Sequence, residues 1–187
     1  MQTEINNAIK ILAKGGTILY PTDTVWGLGC DATNTKAISK IYKIKSRSET
    51  KSLIILVDHV DRIQDYVETV PKQVEDLIKN YHKPLTIVFP KAKNLAKNLI
   101  PQDGTIAIRV VNHPFCQQLI QEYGKPIVST SANVSGTSTP VIFREISDVI
   151  KKKVNYIVTI DQNNILPSSP STVIKVDKDG NYEILRA

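Results

Sequence analysis

The sequence predicts an α/β protein with a mostly buried, mixed sheet. Short apolar runs bounded by Gly, Pro or Asn alternate with segments of helical periodicity. Two of those runs, SLIILV at 52–57 and PLTIVF ending at Phe89, are continuously apolar, the pattern of strands covered on both faces. The length of 187 residues, with 41% hydrophobic and 22% charged residues, suits a single globular domain over 1–187.

Each element has its own signal. Thr3 is placed to cap an amphipathic helix carrying Ile5, Ala8, Ile9 and Leu12, closed by Gly15-Gly16. Thr17–Tyr20 reads as a strand stopped by Pro21. Asn34 caps a second helix with Ala37, Ile38, Ile41 and Ile44 on one side. Pro71 suits the first turn of a helix running to Lys79. After a polar loop at 91–104, Thr105–Val111 alternates: Ile106, Ile108 and Val110 face one way, Thr105, Ala107 and Arg109 the other. Pro114 opens a helix to Tyr123 and Gly124 ends it; Pro126–Thr130 is a strand; 131–140 is a Ser/Thr/Asn/Gly loop. A helix over 141–151 and strands at 154–160, 171–176 and 181–186 complete the chain.

Composition narrows the function. No apolar stretch is long enough to span a membrane, and residues 1–16 lack a secretion-signal pattern. Cys30 and Cys116 are far apart with no CxxC, so two small buried hydrophobes in a cytoplasmic protein are expected, not a disulfide or a zinc site. The excess of 24 Lys+Arg over 18 Asp+Glu favours an anionic partner. There is no GxxxxGK[ST] loop, no GxGxxG, no HExxH and no G-x-S-x-G elbow. A reaction whose nucleophile comes from the substrate, such as nucleotidyl transfer, fits that inventory.

Four segments stand out. In Lys36–Lys51, Lys36, Lys40 and Lys43 read as a solvated helical stripe, but Lys45 falls on the buried face of that helix. With Arg47 and Lys51 it forms a candidate phosphate cradle. Tyr20–Gly29 holds two threonines, an acid and the single Trp26 after a strand, either a turn with an anchoring aromatic or a ligand-orienting site. Ser129–Gly136 runs a strand into a cluster of hydroxyls and an amide, a Ser/Asn turn or a site for phosphate, ribose or an amino acid. Arg109, on an internal strand, needs an anion, either a protein carboxylate or a ligand. Arg186 reads on its own as a solvated tail residue.

Taken in order, ILYPTDTVWGLGCDA, Lys45-x-Arg47, KSLIILV, PLTIVFP, TIAIRV with HP, SAN-x-SG, PSTVI and ILR resemble the YrdC-like domain family from about residue 5 to 187. The resemblance implies a twisted open sheet around a basic concave cleft, and synthesis of threonylcarbamoyl-AMP from L-threonine, bicarbonate or carbon dioxide, and ATP carrying Mg²⁺. The product would pass to tRNA threonylcarbamoyl-transfer machinery in the cytoplasm. By the same resemblance Lys45 and Arg47 are the catalytic cations, and these with Lys51, Thr105, Ser131, Asn133, Thr139 and Arg186 hold ATP. Thr24, Arg109, Ser129 and Ser171 would hold threonine, with the Arg109 guanidinium against its carboxylate. No protein metal ligand is implied.

The chain departs from the pattern at Ser48 and Ser52, where many relatives have proline, at His82-Lys83-Pro84, at Thr130, and at Leu56, often histidine in longer synthases. The appended domain of those longer synthases is not expected. The competing reading is a non-enzymatic paralogue binding double-stranded RNA, tRNA or nucleotide through phosphate contacts. A carbamoyl-transfer module of hydrogenase-maturation type is a third, lacking its zinc-finger cysteines here.

Overall fold

The computed structural model describes residues 1–46, 52–166 and 170–187. Its helices are α1 (Gln2–Ala13), α2 (Thr35–Lys45), α3 (Gln73–Asn80), α4 (Pro114–Tyr123) and α5 (Asp148–Lys153). Its strands are β1 (Ile18–Tyr20), β2 (Gly27–Gly29), β3 (Ile54–Val57), β4 (Leu85–Phe89), β5 (Ile106–Val110), β6 (Ile127–Ser131), β7 (Tyr156–Ile157), β8 (Thr172–Val176) and β9 (Tyr182–Arg186). They form one mixed sheet in the order β7-β1-β2-β6-β3-β5-β4-β8-β9. The β1–β7, β3–β5 and β4–β8 pairs are parallel and the others antiparallel.

Strand alternation divides the interior between the two faces. Ile18, Tyr20, Leu56 and Ile127 point to one side, where α1 and α4 pack on each other and cover them with Ile5, Leu12, Phe115 and Leu119. Leu19, Ile55, Val57, Ile87, Ile108 and Ile174 point to the other, under Ile38 and Ile41 of α2, Val74 of α3 and Ile150 of α5. The continuous apolar run of β3 therefore serves both layers.

Local chemistry sets the helix ends. Asn34 Oδ1 accepts a bond from the Ala37 amide at 3.0 Å, capping α2. Pro114 begins α4, and Gly124, at φ 75°, ends it in the left-handed conformation that glycine adopts without strain. Cys30 and Cys116 are free and buried, and burial pushes both thiols up, so neither is a ready thiolate.

Three expectations change. The first helix starts at Gln2, because the Ile5 amide already bonds the Met1 carbonyl, which leaves Thr3 inside the first turn rather than capping it. Pro71 lies just ahead of α3, with its carbonyl accepting from the Val74 amide, rather than in its first turn. The segment expected as one helix over 141–151 is broken: a 3₁₀ turn at Phe143–Glu145 ends at Ile146, whose extended backbone carries its side chain into the core before α5 begins. A strand also appears where only a loop was expected, at β2. Two glycines make Gly27-Leu28-Gly29 a poor strand by propensity. Packing overrides propensity there: a Cβ on Gly29 would strike the Val128 carbonyl oxygen, so the close approach of β2 to β6 requires glycine.

Candidate active site

The ladder registers place a row of polar side chains on one sheet face. Ser129 lies opposite Ile54, Leu56 opposite Arg109, and Thr86, one step beyond the Ile87–Ile108 pair, opposite Val173. This is the face that α1 and α4 cover only in part. Beyond their edge a cavity of about 370 Å³ opens, lined by Thr24, Arg109, Ser129, Ser131, Thr139, Ser171 and Arg186 among others. Seven of the sequence-predicted site residues are thus brought to one cavity from separate parts of the chain. Its described lining carries no His, Cys, Asp or Glu.

Lys45 stands beside that lining. Its side chain is buried, at 2% exposure, and its ammonium donates to the Ser131 and Asn133 carbonyls at 2.5 and 2.8 Å. Ser131 Oγ in turn donates to Asn133 Oδ1 at 2.5 Å, and Asn133 Nδ2 to the Thr137 carbonyl at 2.6 Å. The Ser-x-Asn turn is therefore a cradle for a lysine ammonium, which resolves why a lysine sits on the apolar stripe of α2. Arg47 and Lys51 lie outside the described residues, and so does Ser48.

Arg109 finds a protein anion. Its Nη2 is 3.1 Å from Asp23 Oδ1, with the two side chains only 4% and 9% exposed. The Thr22 hydroxyl donates to the Val25 carbonyl at 2.6 Å and lies 3.1 Å from the Thr24 hydroxyl. Thr22 has a single hydroxyl hydrogen, so Thr24 is the donor in that contact and keeps acceptor lone pairs for a ligand. Trp26 is an anchor: it is fully buried, with its ring 5.0 Å from that of Phe143.

At the far side, Ser171 Oγ and Thr86 Oγ1 are 2.7 Å apart, and Arg186 donates from Nη2 and Nε to the Ser171 carbonyl at 2.8 and 3.2 Å. Arg186 is no free tail residue. A register shift between Val173 and Ile174 pairs Ile184 with Ile174 and Arg186 with Val173, leaving Leu185 as an extra residue. That bulge turns Arg186 onto the cavity face, which strict alternation from Ile184 would have denied it.

Thr105 does not line that cavity. It lines a neighbouring cavity of about 340 Å³ that shares Ser52, Leu53, Ile54 and Val173 with the first. Its hydroxyl and amide bond Asp103 Oδ1 at 2.7 and 3.1 Å and hold that carboxyl below its usual range. Leu56 does not line either cavity; it is wholly buried beneath α4 with Phe115 and Ile120, so its departure from histidine fills the core. Sequence reasoning missed Asp23, Thr22 and Thr86. The acid of PTDT stands out in the sequence, but nothing local ties it to an arginine 86 positions away.

The lining holds two guanidinium groups with several hydroxyls, and a buried ammonium lies beside it. Such a set binds and aligns anions and presents no side-chain nucleophile with a base. Among the described residues no group of three or more His, Cys, Asp or Glu is placed to hold a metal ion.

Known proteins resemble the chain in sequence and fold. A family model for Sua5/YciO/YrdC proteins, described as "Telomere recombination", matches residues 10–187. Threonylcarbamoyl-AMP synthase of Pseudoalteromonas translucida is 41% identical over 160 residues, covering 84% of this chain and 86% of that protein. Its namesake in Psychromonas ingrahamii is 34% identical over 163 residues, covering 86% and 85%. P. abyssi Sua5 complexed with L-threonine superposes with a TM-score of 0.89 at 27% identity, covering all of this chain and 54% of that one, so the chain spans about half of Sua5. E. coli YciO superposes with a TM-score of 0.85 at 27% identity, covering all of this chain and 89% of that one. The chain belongs to the Sua5/YciO/YrdC family.

Proposed function

We propose that this chain is a threonylcarbamoyl-AMP synthase. It condenses L-threonine, bicarbonate or carbon dioxide, and ATP into threonylcarbamoyl-AMP and pyrophosphate, and the product serves tRNA threonylcarbamoylation. The observation that carries the reading is the convergence of Thr24, Arg109, Ser129, Ser131, Ser171 and Arg186 on one cavity beside the buried Lys45. The names of the relatives and the L-threonine bound by P. abyssi Sua5 support it.

That lining suits a reaction whose substrates are anions and whose nucleophile is itself a substrate. The threonine amine adds to carbon dioxide and releases a proton to solvent, giving a carbamate; from bicarbonate, water is released instead. A carbamate oxygen bonds to the α-phosphorus of ATP as the bond to the bridging oxygen of the β-phosphate breaks, and pyrophosphate leaves with that electron pair. Substrate supplies the nucleophile, which suits a cavity without one. Arg109 faces the threonine carboxylate and the Thr24 oxygen accepts from the amino acid, with Ser129 and Ser171 completing the pocket. Lys45 on its Ser131–Asn133 cradle, with Arg47 and Lys51, neutralises the triphosphate, and Thr105, Thr139 and Arg186 contact the nucleotide. Mg²⁺ enters on the ATP as part of the substrate. Bringing two anions together is what the cations must achieve. A closed site also protects the mixed anhydride from water.

No described helix is long and apolar enough to cross a membrane, and we place the reaction in the cytoplasm. Nothing in the site favours the non-enzymatic reading.

Calorimetry tests the assignment, with L-threonine and ATP added singly and together and L-serine as control. L-Threonine is expected to bind at least about tenfold more tightly than serine, the usual worth of one buried methyl. Absence of L-threonine binding in all combinations contradicts the reading.

A further inference from the structure

The Arg109–Asp23 pair is held from behind by contacts that lie outside the cavity. Asp23 sits in the turn between β1 and β2, and that turn is tied twice to the start of α4. The Asn112 amide donates to Asp23 Oδ2 at 3.1 Å, and the Cys116 thiol donates to the Pro21 carbonyl at 3.1 Å. Residues 111–113 are the short link from β5, which carries Arg109, to α4. The last residue of that link is His113, whose side chain is 13% exposed and whose Nε2 lies 3.1 Å from Asp161 Oδ2. A carboxylate cannot donate, so Nε2 carries the proton in that contact. His113 Nδ1 is buried with no partner among the described residues, which leaves Asp161 as the polar anchor of the ring. The ring is not spent on the helix either: His113 precedes Pro114 and its side chain makes no capping bond to α4. Asp161 is itself held. Its Oδ1 accepts from Asn164 Nδ2 at 2.6 Å, and its backbone is left-handed at φ 59°, a conformation few residues other than glycine adopt.

We propose that His113 is a positioning residue for the carboxylate of the amino acid substrate, an inference that rests on the threonine reading above. Asp161 pins the imidazole, and the imidazole fixes the 111–113 link. The Asn112 amide of that link fixes Asp23, and Asp23 aims the Arg109 guanidinium. Neither His113 nor Asp161 lines the cavity, so neither touches the substrate. Their effect reaches it through direction. A guanidinium meets a carboxylate best as a fork of two parallel bonds, and a small rotation forfeits one of them. Lys45 and the Ser131–Asn133 turn are not part of this chain of contacts, so the triphosphate side of the site does not depend on it.

Steady-state pyrophosphate release by the full chain, with L-threonine and ATP varied separately, tests this in three variants. His113→Phe keeps a ring and removes the donor. His113→Gln keeps a donor near the place of Nε2. Asp161→Ala removes the anchor from the more exposed side of the pair and leaves the imidazole in place. His113→Phe and Asp161→Ala are each expected to raise the KM for L-threonine about tenfold, within what a displacement of about 1 Å costs, while kcat and the KM for ATP change less than about threefold. His113→Gln is expected to return the threonine KM to within about threefold of the unmodified chain. Thermal melts accompany the kinetics, because a purely structural role would lower the melting temperature without separating the two KM values. An unchanged threonine KM in folded His113→Phe or Asp161→Ala overturns the proposal. So does a rise in both KM values together, or a His113→Gln variant as impaired as His113→Phe. Failure of the threonine reading shows elsewhere, in the unmodified chain: release there that ignores L-threonine, or no release at all, overturns that reading and this proposal with it.

Discussion

Asp23 and Arg109 form a buried ion pair at 3.1 Å beneath the cavity. Asp23 is also fixed from its other oxygen, which accepts from the Asn112 amide at 3.1 Å. The carboxylate therefore sets where the guanidinium can sit, while Arg109 Nε is buried without a partner among the described residues.

Asp23→Asn leaves that guanidinium buried and uncompensated. Breaking a buried pair by removing one partner costs about 3–5 kcal/mol. The expected outcome is a lowered melting temperature and a KM for L-threonine raised about tenfold or more, with kcat affected less. Steady-state kinetics and thermal melts check it, and an unchanged threonine KM in the folded variant would separate Asp23 from the proposed threonine site.

Lys45→Ala removes both the cation proposed to meet the triphosphate and the donor that satisfies two carbonyls. Turnover is expected to fall by about 10²–10³, the usual worth of one preorganised donor at a developing charge, and stability to drop by about 1–3 kcal/mol for the orphaned acceptors. Pyrophosphate release and urea titration report the two effects separately. Near-normal turnover in this variant would mean that the triphosphate lies elsewhere.

How much of this was legible beforehand depends on whether a signal is local. Asn34 as a cap, Gly124 as a stop, and the double-sided burial of β3 follow from neighbours in sequence, and the structure has them. Lys45 announced itself by breaking the apolar stripe of α2. Arg109 announced a need for an anion, but its partner Asp23 was settled only by the fold. β2 was illegible because its two glycines serve a backbone contact with Val128 that propensity does not record. The placement of Arg186 depends on a bulge at Leu185, and a single extra residue in a ladder has no sequence mark. Thr105 was assigned by resemblance alone, and the structure sets it in the adjoining cavity.

Gly29→Ala tests the β2 contact. The added methyl meets the Val128 carbonyl oxygen and the Tyr20 ring, both held by the sheet. A loss of about 1–3 kcal/mol or more is expected, as for other overpacked interiors. Denaturant midpoints measure it, and a midpoint equal to that of the unmodified chain would refute the close approach.

Asp31 gives a pH signature. Burial raises its carboxyl, but hydrogen bonds from Thr33, Tyr123 and Lys125 outweigh burial and hold it below its usual value. A depressed folded value stabilises the protein above the unfolded value, near 3.8, and that stability is lost as pH falls through the folded value. Asp31→Asn should therefore flatten the acid limb of stability against pH while lowering stability at neutral pH. Melts between about pH 2.5 and 7 decide it; an acid limb as steep as before would assign the effect to other carboxylates.

The most direct measurement of the central claim is pyrophosphate release from ATP with each substrate omitted in turn, followed by mass analysis of the nucleotide product. Release that requires both L-threonine and bicarbonate, and a product with the mass of threonylcarbamoyl-AMP, is the predicted result. Release that proceeds equally without L-threonine, or no release under any combination, would contradict it.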